Sequence, residues 1–255
     1  MKNSVSSRLT ERTAAEVART IYEPPMHGFD DIALWRMCAL NEAHAVMLAE
    51  RGLIAADIAR DLLRGIGKIR AEGASVIDLD PQFEDSYFAF ENRLGTVIGK
   101  ATAGWLHIGR SRNDIGSTLD RMAARETCLA LLEEMALARA ACLAAAARHV
   151  DTVMPGYTHL QPAQPITYGY YLANVARGME REYERIAAVY DRADACALGS
   201  AALAGTSFPI DRAAVAEMLG FAKIATPGLD AVASRDFVTE LLWTVTSTQV
   251  LLSRV

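Results

Sequence analysis

Aromatic residues are scarce in this chain, at 7% of 255, although hydrophobic residues reach 51% and much of that is alanine. The shortage argues against a β-sandwich or barrel and suits closely packed long helices, so the expected fold class is all-α. Cysteine is sparse as well. Cys38, Cys128, Cys142 and Cys196 are widely scattered with no Cys-x-x-Cys spacing. They fit reduced core thiols of a cytoplasmic protein better than a disulfide framework or a zinc site. There is no excess of positive charge: the net charge is −5, which leaves no electrostatic footprint for nucleic acid. No apolar run free of charges approaches the roughly 20 residues that a membrane span needs. Met1 to Arg19 is polar and lacks the apolar core of a signal peptide. Neither a low-complexity segment nor an internal repeat is visible. The length is enough to bury a sizeable core and exceeds that of one ordinary compact domain.

What the chain does have is two polar runs set between helical patterns. One is Met154-Pro155-Gly156-Tyr157-Thr158-His159-Leu160-Gln161-Pro162-Ala163-Gln164-Pro165, with one of only five histidines beside a hydroxyl. Proline fixes φ and lacks an N–H, so this run predicts a rigid loop between two helices. A histidine held on a stiff loop suits proton transfer, although a plain connector whose histidine caps a carbonyl would look the same. The other run is Gly104-Trp105-Leu106-His107-Ile108-Gly109-Arg110-Ser111-Arg112-Asn113-Asp114. Arg110 and Arg112 offer planar forks suited to carboxylates, and Ser111 and Asn113 add neutral donors. Taken alone, this could also be a surface loop of salt bridges. Asp114 is expected to cap the long helix that follows.

Together these strings resemble the first two signature regions of the argininosuccinate lyases, members of the fumarase/aspartase superfamily. Leu198 to Thr206 with Asp211-Arg212 resembles that family's linker into its later core helix, and Asp230 to Phe237 resembles the start of that helix. The resemblance runs from about Asp31 to Val255, in order and with matching spacing.

The apolar periodicity predicts helices over Ile32–Arg51 and Ala55–Glu72, both amphipathic, and a shorter one over Phe88–Gly99. A long helix follows over Ile115–His149, with Ile115, Leu119, Met122, Leu129, Leu132 and Met135 forming one buried stripe. Further helices are expected over Thr167–Ala197, Asp211–Leu219 and from Asp236 to the chain end. We expect an N-terminal helical domain over 1–110 and a central long-helix bundle domain over 111–255, incomplete at its C-terminal end. The last helix ends at Val255 with no cap. The resemblance implies a further Gly-Ser-Ser…Met-Pro-Lys…Asn loop carrying the serine base, so the natural chain is expected to continue.

The resemblance implies a carbon–nitrogen lyase that eliminates an amine from an N-substituted aspartate and releases fumarate. Such a reaction must stabilise an aci-carboxylate. Ser111, Arg112 and Asn113 would bind the dicarboxylate and Thr158 would hydrogen-bond a carboxylate oxygen. His159 would organise proton delivery to the leaving nitrogen, and Gln161 would position substrate. No cofactor and no metal is expected, and His107, His149 and His159 show no zinc-ligand spacing. The family also implies a homotetramer whose active sites are shared between subunits. Where the family carries Asp and Ser in its first domain helix, this chain has Met37 and Asn41. The family's His-Met-x-Ile-Glu is Tyr87-Phe88-Ala89-Phe90-Glu91 here, and its threonine before Gly109 is Ile108. These departures point to a changed amine pocket and an aminopolycarboxylate such as ethylenediamine-N,N′-disuccinate. Argininosuccinate is the alternative, and a non-enzymatic, crystallin-like relative is the second.

Overall fold

The computed structural model describes residues 13–255, so most of the polar segment Met1–Arg19 lies outside the described residues. Among the described residues the fold is all-α apart from two short two-stranded sheets, the first of them an antiparallel ribbon. Short helical turns over Ala15–Met26 lead into α1 (Asp31–Glu50), α2 (Ala56–Glu72) and α3 (Ser86–Ile98). Next come α4 (Arg112–Arg148), β1 (Val153–Thr158), β2 (Gln161–Thr167) and α5 (Tyr168–Ala193). The remainder is β3 (Ala195–Cys196), α6 (Arg212–Met218), β4 (Lys223–Ile224), α7 (Gly228–Ala233) and α8 (Asp236–Leu252).

Side-chain caps explain four of the eight starts. Asp30 accepts from Ala33 N at 2.8 Å, Asp85 from Phe88 N at 2.8 Å, Thr167 from Tyr170 N at 3.1 Å and Asp211 from Ala214 N at 3.0 Å. Each satisfies one of the orphan N–H groups of a helix N-terminus. Helix α2 stops at Gly73, whose φ of 83° favours glycine.

Two compact units are formed, both discontinuous in sequence. The first joins the segment up to Leu119 with Cys196–Ala233, and the second joins Asp120–Ala195 with Ser234–Val255. In the first unit α1 packs on α2 and α6, and α2 also packs on α3. Its core includes the fully buried Leu34, Met37, Leu40, Met47, Leu62, Ile66, Phe90 and Leu94. Helix α1 is not amphipathic as expected. It buries residues on every side from Met37 to Leu48, because neighbours surround it.

The second unit has a three-helix core. Ala124, Cys128 and Met135 of α4 meet Val175, Met179, Ile186 and Val189 of α5 and Phe237 and Leu241 of α8. The predicted α4 stripe holds at Ile115, Met122 and Met135, but Leu129 is 52% exposed. Helix α4 offers one face to this core, and Leu129 lies on another.

Candidate active site

The run before α4 is anchored by a buried polar network of the first unit. Gly109 is left-handed with φ 73°, and a Cβ there would meet Ile210 Cγ2 at 2.9 Å. The next residue, Arg110, is only 6% exposed. Its Nη2 donates to Asn41 Oδ1 at 2.6 Å and to the Tyr87 hydroxyl at 3.1 Å, while its Nε and Nη1 make no hydrogen bond among the described residues. The Tyr87 hydroxyl lies 3.1 Å from His107 Nδ1. Burial pushes the Tyr87 hydroxyl well above its ordinary value, partly offset by the Arg110 charge. His44 Nε2 donates to the Ile108 carbonyl at 2.9 Å. Burial, then the Arg110 charge, holds His44 well below its ordinary value, so it stays neutral.

Ser111, not Asp114, is the residue at the helix boundary. Helix α4 begins at Arg112, and Asp114 sits in its first turn. Its Oδ1 accepts from Ser111 N at 2.8 Å, and Ser111 Oγ lies 3.4 Å from Asn113 N. This is the reciprocal pattern of a capping box, with aspartate in the third helical position. The Ser-x-x-Asp spacing carried that signal in the sequence. Arg112 faces two carboxylates: Nη1 lies 3.0 Å from Glu84 and 2.9 Å from Asp85, and the guanidinium stacks 4.2 Å from the Phe88 ring centroid. Part of its fork is therefore already occupied, while Nη2 and Nε make no hydrogen bond among the described residues. Asn113 is exposed and donates from Nδ2 to the Ala202 carbonyl at 3.0 Å.

Met37 and Asn41, expected at the amine pocket, are enclosed within the first unit. Met37 is 1% and Asn41 0% exposed, and Asn41 is turned to Arg110 and to the Met37 carbonyl. Tyr87 touches Arg110, Phe88 lies under Arg112, and the Ile108 carbonyl holds His44. Asn41, Tyr87 and Phe88 therefore contact the signature arginines directly, and Met37 and Ile108 touch residues that surround Arg110.

The proline run is not a loop but a ribbon of the second unit. β1 and β2 pair antiparallel, with Val153 opposite Thr167, Pro155 opposite Pro165 and Thr158 opposite Gln161. Prolines are tolerated because the ribbon has no further strand to satisfy. The register shifts at Gly156, where a Cβ would meet the Gln164 carbonyl at 2.9 Å. The tip is the pair His159 and Leu160, both left-handed with φ of 51° and 62°, as a type I′ turn requires. Thr158, His159 and Gln161 are together at this tip and all exposed. Thr158 also lines a cavity of about 500 Å³ between the ribbon and the first turns of α5, with Tyr157, Gln164, Tyr170, Tyr171 and Asn174. The sequence reading had not singled out these last five as site residues. Ser111, Arg112 and Asn113 thus gather in one unit, and Thr158, His159 and Gln161 in the other.

A lyase family profile matches residues 19–255. Among curated relatives, the argininosuccinate lyase of Methanosarcina acetivorans is 39% identical over 216 residues, covering 85% of this chain and 44% of that protein. That of Anaeromyxobacter sp. strain K is 42% identical over 219 residues, covering 84% and 46%. Among solved structures, EDDS lyase in complex with formate superposes with a TM-score of 0.82 at 31% identity, over 96% of this chain and 48% of that one. An EDDS lyase variant with bound fumarate gives 0.78 at 31% identity, over 92% and 46%. The chain spans about half the length of the relatives it matches. With the profile match, the identities and the shared helical fold in agreement, the chain belongs to the argininosuccinate lyase family of the fumarase/aspartase superfamily.

Proposed function

We propose that the full-length protein is a carbon–nitrogen lyase that reversibly eliminates an amine from an N-substituted aspartate and releases fumarate. The observation that supports this most is the start of α4. Ser111, Arg112 and Asn113 stand at the N-terminus of a 37-residue helix, where the helix dipole favours an anion. In this reading Ser111, Asn113 and the remaining edge of Arg112 hold the dicarboxylate. Thr158 hydrogen-bonds a carboxylate oxygen, Gln161 positions the substrate, and His159 delivers a proton to the leaving nitrogen. The division into 1–110 and 111–255 is kept as a functional one, with the arginine run at the junction.

For the amine, we favour an aminopolycarboxylate of the ethylenediamine-N,N′-disuccinate kind over argininosuccinate. The support is the likeness to EDDS lyase. A homotetramer with shared sites, working in the cytoplasm, completes the reading. Leu137, Leu242 and Trp243 of the second unit are 60%, 63% and 58% exposed on helices that further copies would cover. Among the described residues, no helix is long and apolar enough to cross a membrane.

The test is fumarate release by the full-length enzyme, followed by ultraviolet absorbance, with His159→Asn beside the wild type. General acid–base loss predicts a fall in kcat of about 10²- to 10⁴-fold with little change in substrate affinity. An unchanged kcat removes His159 from the chemistry. A clear kcat/KM preference for argininosuccinate over ethylenediamine-N,N′-disuccinate would overturn the substrate assignment.

A further inference from the structure

A capping box needs one carboxylate oxygen, and Asp114 uses both. Oδ1 accepts from Ser111 N at 2.8 Å, while Oδ2 accepts from Gly199 N and Ala201 N, each at 2.8 Å. The side chain is 0% exposed. Burial raises its pKa even though three backbone N–H groups and the Arg110 charge pull the other way, so the fold holds this carboxylate at a cost. The segment it grips is itself unusual. Ala201 has φ 53°, a left-handed conformation that alanine avoids. Asn113 Nδ2 donates to the next carbonyl, Ala202 O, at 3.0 Å. From the other side, Arg212 donates from Nε to Leu198 O at 3.1 Å and from Nη2 to Ser200 Oγ at 3.0 Å.

We infer that Asp114 is a positioning residue which makes the 199–202 turn part of the dicarboxylate half-site, fixing how Ser111 and Asn113 meet the ligand. The ligand is taken from the proposed function. The turn supplies no donor to substrate in this account. It sets the Asn113 amide through Ala202, and Asp114 sets the turn. Helix capping alone would need neither the second oxygen nor the left-handed alanine.

The experiment is fumarate binding by full-length wild type, Asp114→Asn, Ala201→Gly and the double variant. In Asp114→Asn an NH₂ replaces an acceptor, and fumarate affinity should weaken tenfold or more. Glycine at 201 lets the turn hold its shape with fewer bonds. In the Ala201→Gly background, the loss from Asp114→Asn should therefore shrink below threefold. Equal losses in both backgrounds would mark Asp114 as merely structural and overturn the inference. A wild type that binds no fumarate sinks the functional reading along with it. A wild type that binds, with Asp114→Asn within twofold, sinks this inference alone. Should Asp114→Asn fail to fold, hydrogen exchange of the wild type decides: saturating fumarate should slow the Gly199 and Ala201 amides at least fivefold, and unchanged exchange refutes the coupling.

Discussion

Asn41 offers the sharpest test of how the arginine run is supported. Arg110 is 6% exposed, and one nitrogen carries both of its hydrogen bonds, to Asn41 and Tyr87. Replacing Asn41 by Leu removes the shorter bond, at 2.6 Å, and leaves a buried cation with a single neutral acceptor. A hydrogen bond to a charged group contributes about 1.5–3 kcal/mol, and an uncompensated buried charge adds to that. The expected loss is about 2–4 kcal/mol, or a fall in Tm of roughly 4–16 °C for a chain of this size. Asn41→Asp should behave differently. It gives the guanidinium a carboxylate, and it forfeits the Nδ2 bond to the Met37 carbonyl, 2.8 Å long and worth about 1 kcal/mol. The two changes nearly cancel, so Asn41→Asp should stay within about 1 kcal/mol of wild type. Urea and thermal unfolding of the three proteins give the answer. If Asn41→Leu changes stability by less than ~0.5 kcal/mol, or Asn41→Asp proves the worse of the two, Arg110 is not held as described.

Arg112→Lys should weaken fumarate binding roughly 10-fold, because an ammonium cannot both keep the Glu84 and Asp85 contacts and present a planar edge; equal affinity by titration would show Arg112 to be purely structural. Gly169→Ala would drive a Cβ to 2.6 Å from the Ala146 carbonyl and 2.9 Å from that of His149, where the end of α4 meets the start of α5. Overpacking against backbone should cost about 1–3 kcal/mol despite alanine's better helix propensity, read as a shift in the urea midpoint. Burial pushes the Cys38, Cys128 and Cys196 thiols up to about 11, so at pH 8 these three should resist a disulfide reagent until the protein unfolds. Rapid labelling of any of them in the native protein would contradict their placement in the core.

The helices were legible because apolar period and caps agree: Thr167 and Asp211, the expected starts, cap α5 and α6. The ribbon was not, because three prolines read as strand breakers, and only pairing between residues 153 and 167 makes them a hairpin. Nor was the discontinuity of the units. It depends on Asp114 reaching Gly199 and Ala201 across more than eighty residues, which no local pattern encodes. The two signature runs were found as strings, but not which side chains surround them. Arg112 looked like a free fork, and its acidic partners Glu84 and Asp85 lie far enough back in the chain to be missed. Nor was the burial of Met37 and Asn41 legible, because a helix shows its residue types, not which side is enclosed.

The tip of the β1–β2 ribbon has a consequence for how this protein can evolve. Leu160 is 92% exposed and left-handed, so it neither buries area nor relaxes the backbone. Asparagine or glycine would suit that turn better, by about 1 kcal/mol. His159 beside it carries the same backbone cost. Selection for a hardier fold would therefore press on the two tip positions alike, yet only at position 160 could it act without removing the imidazole. On the proposed role of His159 in proton delivery, thermal robustness and turnover are set against each other within two adjacent residues.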